Sequence, residues 1–172
     1  MTRRIAAAAT ERRGEPPSRR TAAVFLASWF GVGFLPWAPG TWGTAAALPL
    51  AWALSRLRPP GQVIAALVLA AIAIPVAGAA GRAFRVVDAP QIVVDEVAGL
   101  VVSLVAVPFT WRSAIAAFAL FRLFDVLKPW PASFFDQRVK NGAGVVLDDV
   151  VAGLYARGLL AVVVLWRPHF FG

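Results

Sequence analysis

Neighbouring carboxylates are the residues of this sequence best suited to carry chemistry. Two acidic doublets, Asp95-Glu96 and Asp148-Asp149, each begin an apolar segment, and a glycine follows one turn later in both. A single acid at a helix N-terminus is ordinary, because it stabilises the helix dipole. Two adjacent acids at the start of a segment that is apolar enough for a membrane are different, because a charge inside a membrane costs free energy. Because Mg²⁺ prefers oxygen ligands, we expect all four side chains to hold this cation.

A segment rich in glycine and threonine could bind phosphate. It comprises Gly40, Thr41, Trp42, Gly43 and Thr44 and is predicted to be a loop over 35–43 that leads into a helix over 44–57. Backbone N–H groups at such a helix start suit an anion. The structural alternative is a tight turn between two helices, in which Thr41 or Thr44 caps the second helix.

A third pattern places charges at spacings of three. Arg122, Asp125 and Lys128 lie on one face of a predicted helix that ends before Pro129. As ordinary structure they would form a ladder of salt bridges with a cation near the helix C-terminus. As a functional set, Asp125 would take a metal ion or a proton, and the two cations would neutralise a phosphate. The spacing leaves both interpretations open.

Composition excludes several kinds of phosphate chemistry. The chain has 172 residues, of which 59% are hydrophobic and 15% charged, with no cysteine and one histidine. Cysteine nucleophiles and cysteine zinc sites are excluded, and His169 lies too near the C-terminus to be a promising nucleophile. No D-x-D motif occurs either. The remaining route is a carboxylate-held Mg²⁺ that polarises a phosphoryl oxygen and orients water.

These residues require helices to position them. Strand-like alternation is absent and the apolar segments are rich in alanine, so we expect an all-α fold. It would be a single compact bundle of about five to six helices, embedded in or associated with a membrane, with 62–80 the best candidate to cross it. The predicted segments are 22–34, 44–57, 62–80, 95–107, 112–128, 131–139 and 145–166.

The termini differ from this helical domain, which we place at 21–167. Residues 1–20 carry six arginines and two glutamates without apolar periodicity, so they are predicted to be a disordered basic arm. Residues 168–172 form a short tail. The arm lacks the aromatic and basic interleaving of a nucleic-acid surface, and an anionic bilayer is its better partner. No particular oligomeric state is favoured.

Four segments carry a resemblance to a known family. They are Leu35-Pro36 with 38–43, Asp95-Glu96, 121–131 and 147–153. In this order they resemble the phosphatidylglycerophosphatase A family over about residues 22–165. The resemblance implies a Mg²⁺-dependent hydrolase of the bacterial inner membrane, with its active site facing the cytoplasm. Such an enzyme converts phosphatidylglycerophosphate to phosphatidylglycerol and phosphate.

The resemblance and the patterns together give one set of expected roles. Asp95, Glu96, Asp148 and Asp149 would be metal ligands, and these acids with Asp125 would be the catalytic residues. Gly40, Thr41, Gly43, Thr44, Arg122 and Lys128 would bind the phosphate of the lipid substrate. The family pattern usually has Lys, an acid and Ser where this chain has Trp37, Gln91 and Thr44. The Trp37 difference removes one candidate phosphate contact.

Three alternative functions fit the same residues. Intramembrane acids paired with arginine are also typical of ion-coupled transporters. A scaffold protein whose acids merely cap helices would tolerate neutralisation of Asp148 and Asp149. A third alternative keeps the phosphatase activity but changes the lipid, to phosphatidic acid or a polyprenyl phosphate.

Overall fold

A computed structural model describes residues 17–167 and Phe170. Within these residues the secondary structure is entirely helical, which confirms the all-α prediction, and there are seven α-helices rather than five to six. The helices are α1 Pro17–Ala27, α2 Pro39–Leu54, α3 Pro59–Phe84, α4 Val94–Ser103, α5 Trp111–Leu127, α6 Ala132–Arg138 and α7 Gly142–Trp166, with a 3-10 turn at Val32–Phe34.

The first helix differs from its predicted bounds of 22–34. Helix α1 begins at Pro17 and ends at Ala27, because Trp29, Phe30 and Gly31 all have positive φ angles that no helix can continue. Most of the predicted basic arm, residues 1–16, and all of the predicted tail except Phe170 lie outside the described residues.

Local signals fix where the other helices begin. Helices α2 and α3 both start with proline, whose missing N–H is no loss in the first turn. Thr110 and Ser113 form a reciprocal capping box at the start of α5, and the Asn141 side chain accepts from two backbone N–H groups of α7. Helix α2 was predicted to start at 44, and this was wrong by five residues because Pro39 already starts it. Thus 40–44 is helical and not a loop.

Close glycine packing brings the helices of the two acidic doublets together. A Cβ atom on Gly99 of α4 would lie 2.7 Å from the backbone oxygen of Asp149 in α7. A Cβ atom on Gly153 of α7 would overlap the backbone oxygen of Gly99. Only glycine allows backbones to approach this closely. Since Gly99 follows Asp95 by four residues and Gly153 follows Asp149 by four, this contact brings the two carboxylates to the same place.

Two helices are long and apolar enough to cross a membrane, α3 with 26 residues and α7 with 25. Large apolar side chains stay exposed on both, among them Ile64 and Leu67 on α3 and Leu154 and Val162 on α7. Exposed apolar side chains along two long apolar helices are typical of a chain that contacts a membrane or another apolar partner. The helices therefore favour membrane association.

Candidate active site

Three carboxylates from two helices form one cluster. Asp95 and Glu96 come from the first turn of α4, and Asp149 comes from the second turn of α7. One carboxylate oxygen from each residue lies within 4.8 Å of the other two. Asp95 is 6% exposed and Asp149 is 4% exposed, while Glu96 is half-buried. The structure thus brings together three of the four predicted metal ligands.

This carboxylate cluster carries negative charge that the protein does not fully compensate. Burial and the neighbouring Glu96 carboxylate raise the pKa of Asp95 well above its usual value, and burial also raises the pKa of Glu96. The Oε2 atom of Glu96 is buried and makes no hydrogen bond within the described residues. Buried anions need a counter-charge. Carboxylate oxygens at this spacing fit a hard divalent cation such as Mg²⁺.

Arg122 lies at the edge of the carboxylate cluster. Its Nη1 atom is 2.7 Å from Asp125 Oδ2 and 3.8 Å from Glu96 Oε1. Nη1 is buried, and although it contacts Asp125 as an ion pair, no acceptor among the described residues is aligned for a hydrogen bond. The guanidinium therefore keeps donor capacity next to the cluster. Asp125 holds this arginine from the adjacent turn of α5, as the predicted spacing of three requires.

The start of helix α2 contacts the same cluster. A Cβ atom on Gly40 would overlap Oε1 of Glu96 and lie 3.0 Å from Nη1 of Arg122. The N-cap residue Ala38 provides no side-chain hydrogen bond, and the first turn contains no acid. An uncapped helix start with its positive dipole end at this place suits a phosphate.

The other residues predicted for the phosphate segment hold this turn in place. Thr44 is buried and its hydroxyl donates to the Gly40 carbonyl at 2.8 Å. The N-cap of α2 is Ala38, so the alternative that Thr41 or Thr44 caps this helix is wrong. Gly43 is buried, and a Cβ atom there would lie 2.6 Å from Cβ of Val93. The Thr41 N–H donates to the Ala38 carbonyl at 2.9 Å. Of this segment, the contacts place Gly40 directly at the carboxylate cluster.

Asp148 lies outside the carboxylate cluster, in an ion pair with Lys128. The Lys128 ammonium is 2.5 Å from Asp148 Oδ2 and 2.8 Å from Asp136 Oδ1. Burial alone would lower the pKa of Lys128, but the two carboxylates raise it above its usual value. Asp136 was not among the predicted site residues, and it lies in helix α6. No local pattern links it to Lys128, because they belong to different helices.

Comparison with known proteins shows which family the chain resembles. A family model for phosphatidylglycerophosphatase A matches residues 25–164. Phosphatidylglycerophosphatase A of Escherichia coli (strain K12) is 38% identical over 138 residues, which cover 78% of this chain and 79% of the relative. The protein of the same name from Haemophilus influenzae is 37% identical over 143 residues, covering 82% and 88%.

A third relative carries a different name. The putative phosphatidylinositol-3-phosphatase of Bacteroides thetaiotaomicron is 38% identical over 146 residues, covering 81% of this chain and 91% of the relative. No solved structure gives a significant match to the chain. The carboxylate cluster, Arg122 and the start of α2 all lie inside the segment that the family model matches.

Proposed function

Because the chain belongs to the phosphatidylglycerophosphatase A family and is a phosphoric monoester hydrolase, we propose that it hydrolyses phosphatidylglycerophosphate to phosphatidylglycerol and phosphate with Mg²⁺. The observation that carries the proposal is the buried cluster of Asp95, Glu96 and Asp149 beside a guanidinium and an uncapped helix start. A cation site next to donors for phosphate oxygens is what phosphoryl transfer requires.

In this proposal the three clustered carboxylates hold the metal ion. Bound Mg²⁺ would supply the Lewis acid that polarises a phosphoryl oxygen and orients the water. Glu96 is the ligand nearest to the phosphate site, because its Oε1 atom lies beside both Gly40 and Arg122. Asp95 and Asp149 lie deeper and fix the cluster from two different helices.

The phosphate would be bound beside Glu96, next to the metal ion and within reach of Arg122. Arg122 donates to its oxygens and balances the charge that develops on them, while Asp125 keeps the guanidinium in place. The start of α2 supplies the positive end of a helix dipole. Gly40 is needed here since any side chain would occupy the space beside Glu96 and Arg122.

The ion pair of Lys128 and Asp148 would position the site. It connects the end of α5 to α7 at Asp148, one residue before Asp149. This contact would therefore hold the Asp149 carboxylate in its position in the cluster. We propose this positioning role for Asp148 instead of metal ligation, because its carboxylate is already satisfied by the ammonium. Lys128 has two carboxylate partners and is a weaker candidate for phosphate binding than Arg122.

Phosphate release from purified enzyme tests the proposal. The full chain in detergent micelles is given phosphatidylglycerophosphate, and inorganic phosphate is measured with Mg²⁺ and with excess chelator. We expect release that requires the cation and that Asp149→Asn abolishes, with Asp136→Asn as a control that alters an acid outside the carboxylate cluster. Release that continues at the same rate in chelator would overturn the metal role.

The same assay separates the alternatives. Phosphatidylinositol 3-phosphate is included as a second substrate, because a relative bears the name of a phosphatase for it. Faster release from that lipid would reassign the substrate and leave the site unchanged. No release from any lipid phosphate, together with ion-dependent uptake in vesicles, would favour the transporter alternative.

A further inference from the structure

A cavity lies where α3 ends and α7 begins. Its charged lining residues are cations, unlike the acids of the carboxylate cluster. Its volume is about 290 Å³. Three cationic side chains line it, Arg82, Arg85 and Lys140, and none of its described lining residues is acidic. A cavity whose charged lining residues, among those described, are all cationic points to an anionic ligand.

The helix packing keeps this cavity open. Gly142 at the start of α7 packs directly on α3, since a Cβ atom there would overlap the Ile74 carbonyl and lie 2.5 Å from the Gly78 nitrogen. Glycines at the contact leave no side chain to fill the space above it. The exposed Arg85 ends α3 and has no ion pair within the described residues. Its charge is therefore available to a ligand.

The cationic cavity continues toward Asp148, the neighbour of Asp149 on α7. It shares Val86, Val87 and Lys140 with an adjoining cavity of about 220 Å³. That cavity is also lined by Asp88 and by two acids that pair with Lys128, Asp136 and Asp148. Gly142 at the cation-lined end precedes Asp149 by seven residues, so the two lie on the same face of α7 about 10 Å apart along its axis. One elongated ligand could occupy both places.

The substrate of the proposed function has two phosphates of different chemistry. The terminal monoester reacts, and the bridging phosphodiester, which links glycerol to the lipid, stays in the product. We propose that the cavity lined by Arg82, Arg85 and Lys140 binds this phosphodiester while the monoester reaches the carboxylate cluster. This inference rests on the proposed function.

Product inhibition separates the two phosphate positions. Phosphatidylglycerol contains only the phosphodiester, whereas inorganic phosphate represents only the released group. The inhibition constant of each is measured for the full-length wild type, for Arg85→Gln and for the control Arg56→Gln. Arg56 stacks on Trp52 at the opposite end of α3 and does not line the cavity.

We expect Arg85→Gln to weaken competitive inhibition by phosphatidylglycerol about tenfold, the effect of losing one charge-assisted hydrogen bond. Inhibition by inorganic phosphate should change less than about twofold, and Arg56→Gln should resemble the wild type. Arg85→Lys should recover part of the loss, which excludes misfolding as the cause.

Two results would overturn the inference. One is an unchanged constant for phosphatidylglycerol in Arg85→Gln, and the other is an equal change for both inhibitors. Inhibition by phosphatidylglycerol that does not compete with substrate would place the lipid at a separate site and would also overturn it. A wild type that releases no phosphate from phosphatidylglycerophosphate would instead refute the proposed function. Binding of spin-labelled phosphatidylglycerol to wild type and Arg85→Gln would then still test the cavity.

Discussion

Replacing Asp149 by asparagine should abolish activity and at the same time stabilise the metal-free protein. The carboxylates of Asp95 and Glu96 each have an oxygen atom within 4.8 Å of one on Asp149, and Asp125 is a further carboxylate neighbour. At an effective dielectric constant of 20, each fully ionised pair at this distance repels by about 3 kcal/mol. Asparagine has nearly the same shape and removes the charge, so the repulsion from these neighbours disappears.

The realised gain is smaller than the full repulsion. The raised pKa of Asp95 means that this carboxyl already holds a proton over part of the pH range, which relieves some of the repulsion. We therefore expect a stabilisation of about 1–2 kcal/mol in chelator, or about 3–6 °C in Tm for a chain of this length. In Mg²⁺ the order should reverse, because a ligand at one hundred times its Kd stabilises the wild type by about 2.7 kcal/mol.

Thermal unfolding in detergent, followed by tryptophan fluorescence, measures both effects. The matched control is Asp148→Asn, one residue away on the same helix. It removes a partner of Lys128 and should destabilise the protein with or without Mg²⁺. The reasoning is refuted if Asp149→Asn is less stable than the wild type in chelator, or if Mg²⁺ raises the Tm of both proteins equally.

Three further perturbations test other parts of the site. Gly40→Ala should lower kcat/KM at least about tenfold, because the added Cβ atom would displace Glu96 and Arg122. The control is Gly158→Ala, which should keep wild-type rates because nothing lies within 4 Å of its added Cβ atom. Arg122→Gln should lower kcat/KM by about tenfold to a hundredfold through loss of a charge-assisted phosphate contact, and initial rates that match the wild type would exclude that contact. Protons should compete with Mg²⁺, since Asp95 and Glu96 have raised pKa values and must be ionised to bind it, so the Mg²⁺ concentration for half-maximal activity should rise as the pH falls. Without Mg²⁺, the free energy of unfolding should fall as the pH rises, because the folded state binds more protons than the unfolded state. The fall should extend from the usual carboxyl range up to the raised pKa of Asp95. A Tm that increases over this pH range in chelator would contradict the assignment.

The meeting of the two acidic segments was predictable from the sequence. Each doublet has a glycine four residues after one of its acids, and this spacing places acid and glycine on the same helix face. A face that carries glycine allows close helix contact, which then brings Asp95 and Asp149 together. The start of α2 at Pro39 was predictable too, since proline is a strong signal for the first turn of a helix.

The separation of Asp148 from Asp149 was beyond sequence reasoning. Neighbouring residues on a helix point about 100° apart, and in α7 Asp149 faces the carboxylate cluster while Asp148 does not. The rotation of α7 decides which of the two does, and that rotation is set by the contact of Gly153 with Gly99. The second partner of Lys128, Asp136, comes from another helix and depends on how α6 packs. Such choices are made by tertiary contacts and leave no local pattern.

Direct titration of the protein with Mg²⁺ tests the central claim most closely. Isothermal calorimetry on the purified full chain, without lipid substrate, is compared with Asp95→Asn, Glu96→Gln, Asp149→Asn and the control Asp136→Asn. We predict one ion bound per chain in the wild type and the control, and binding at least about tenfold weaker in each of the other three. Equal affinity in all five proteins would contradict a metal site built from Asp95, Glu96 and Asp149.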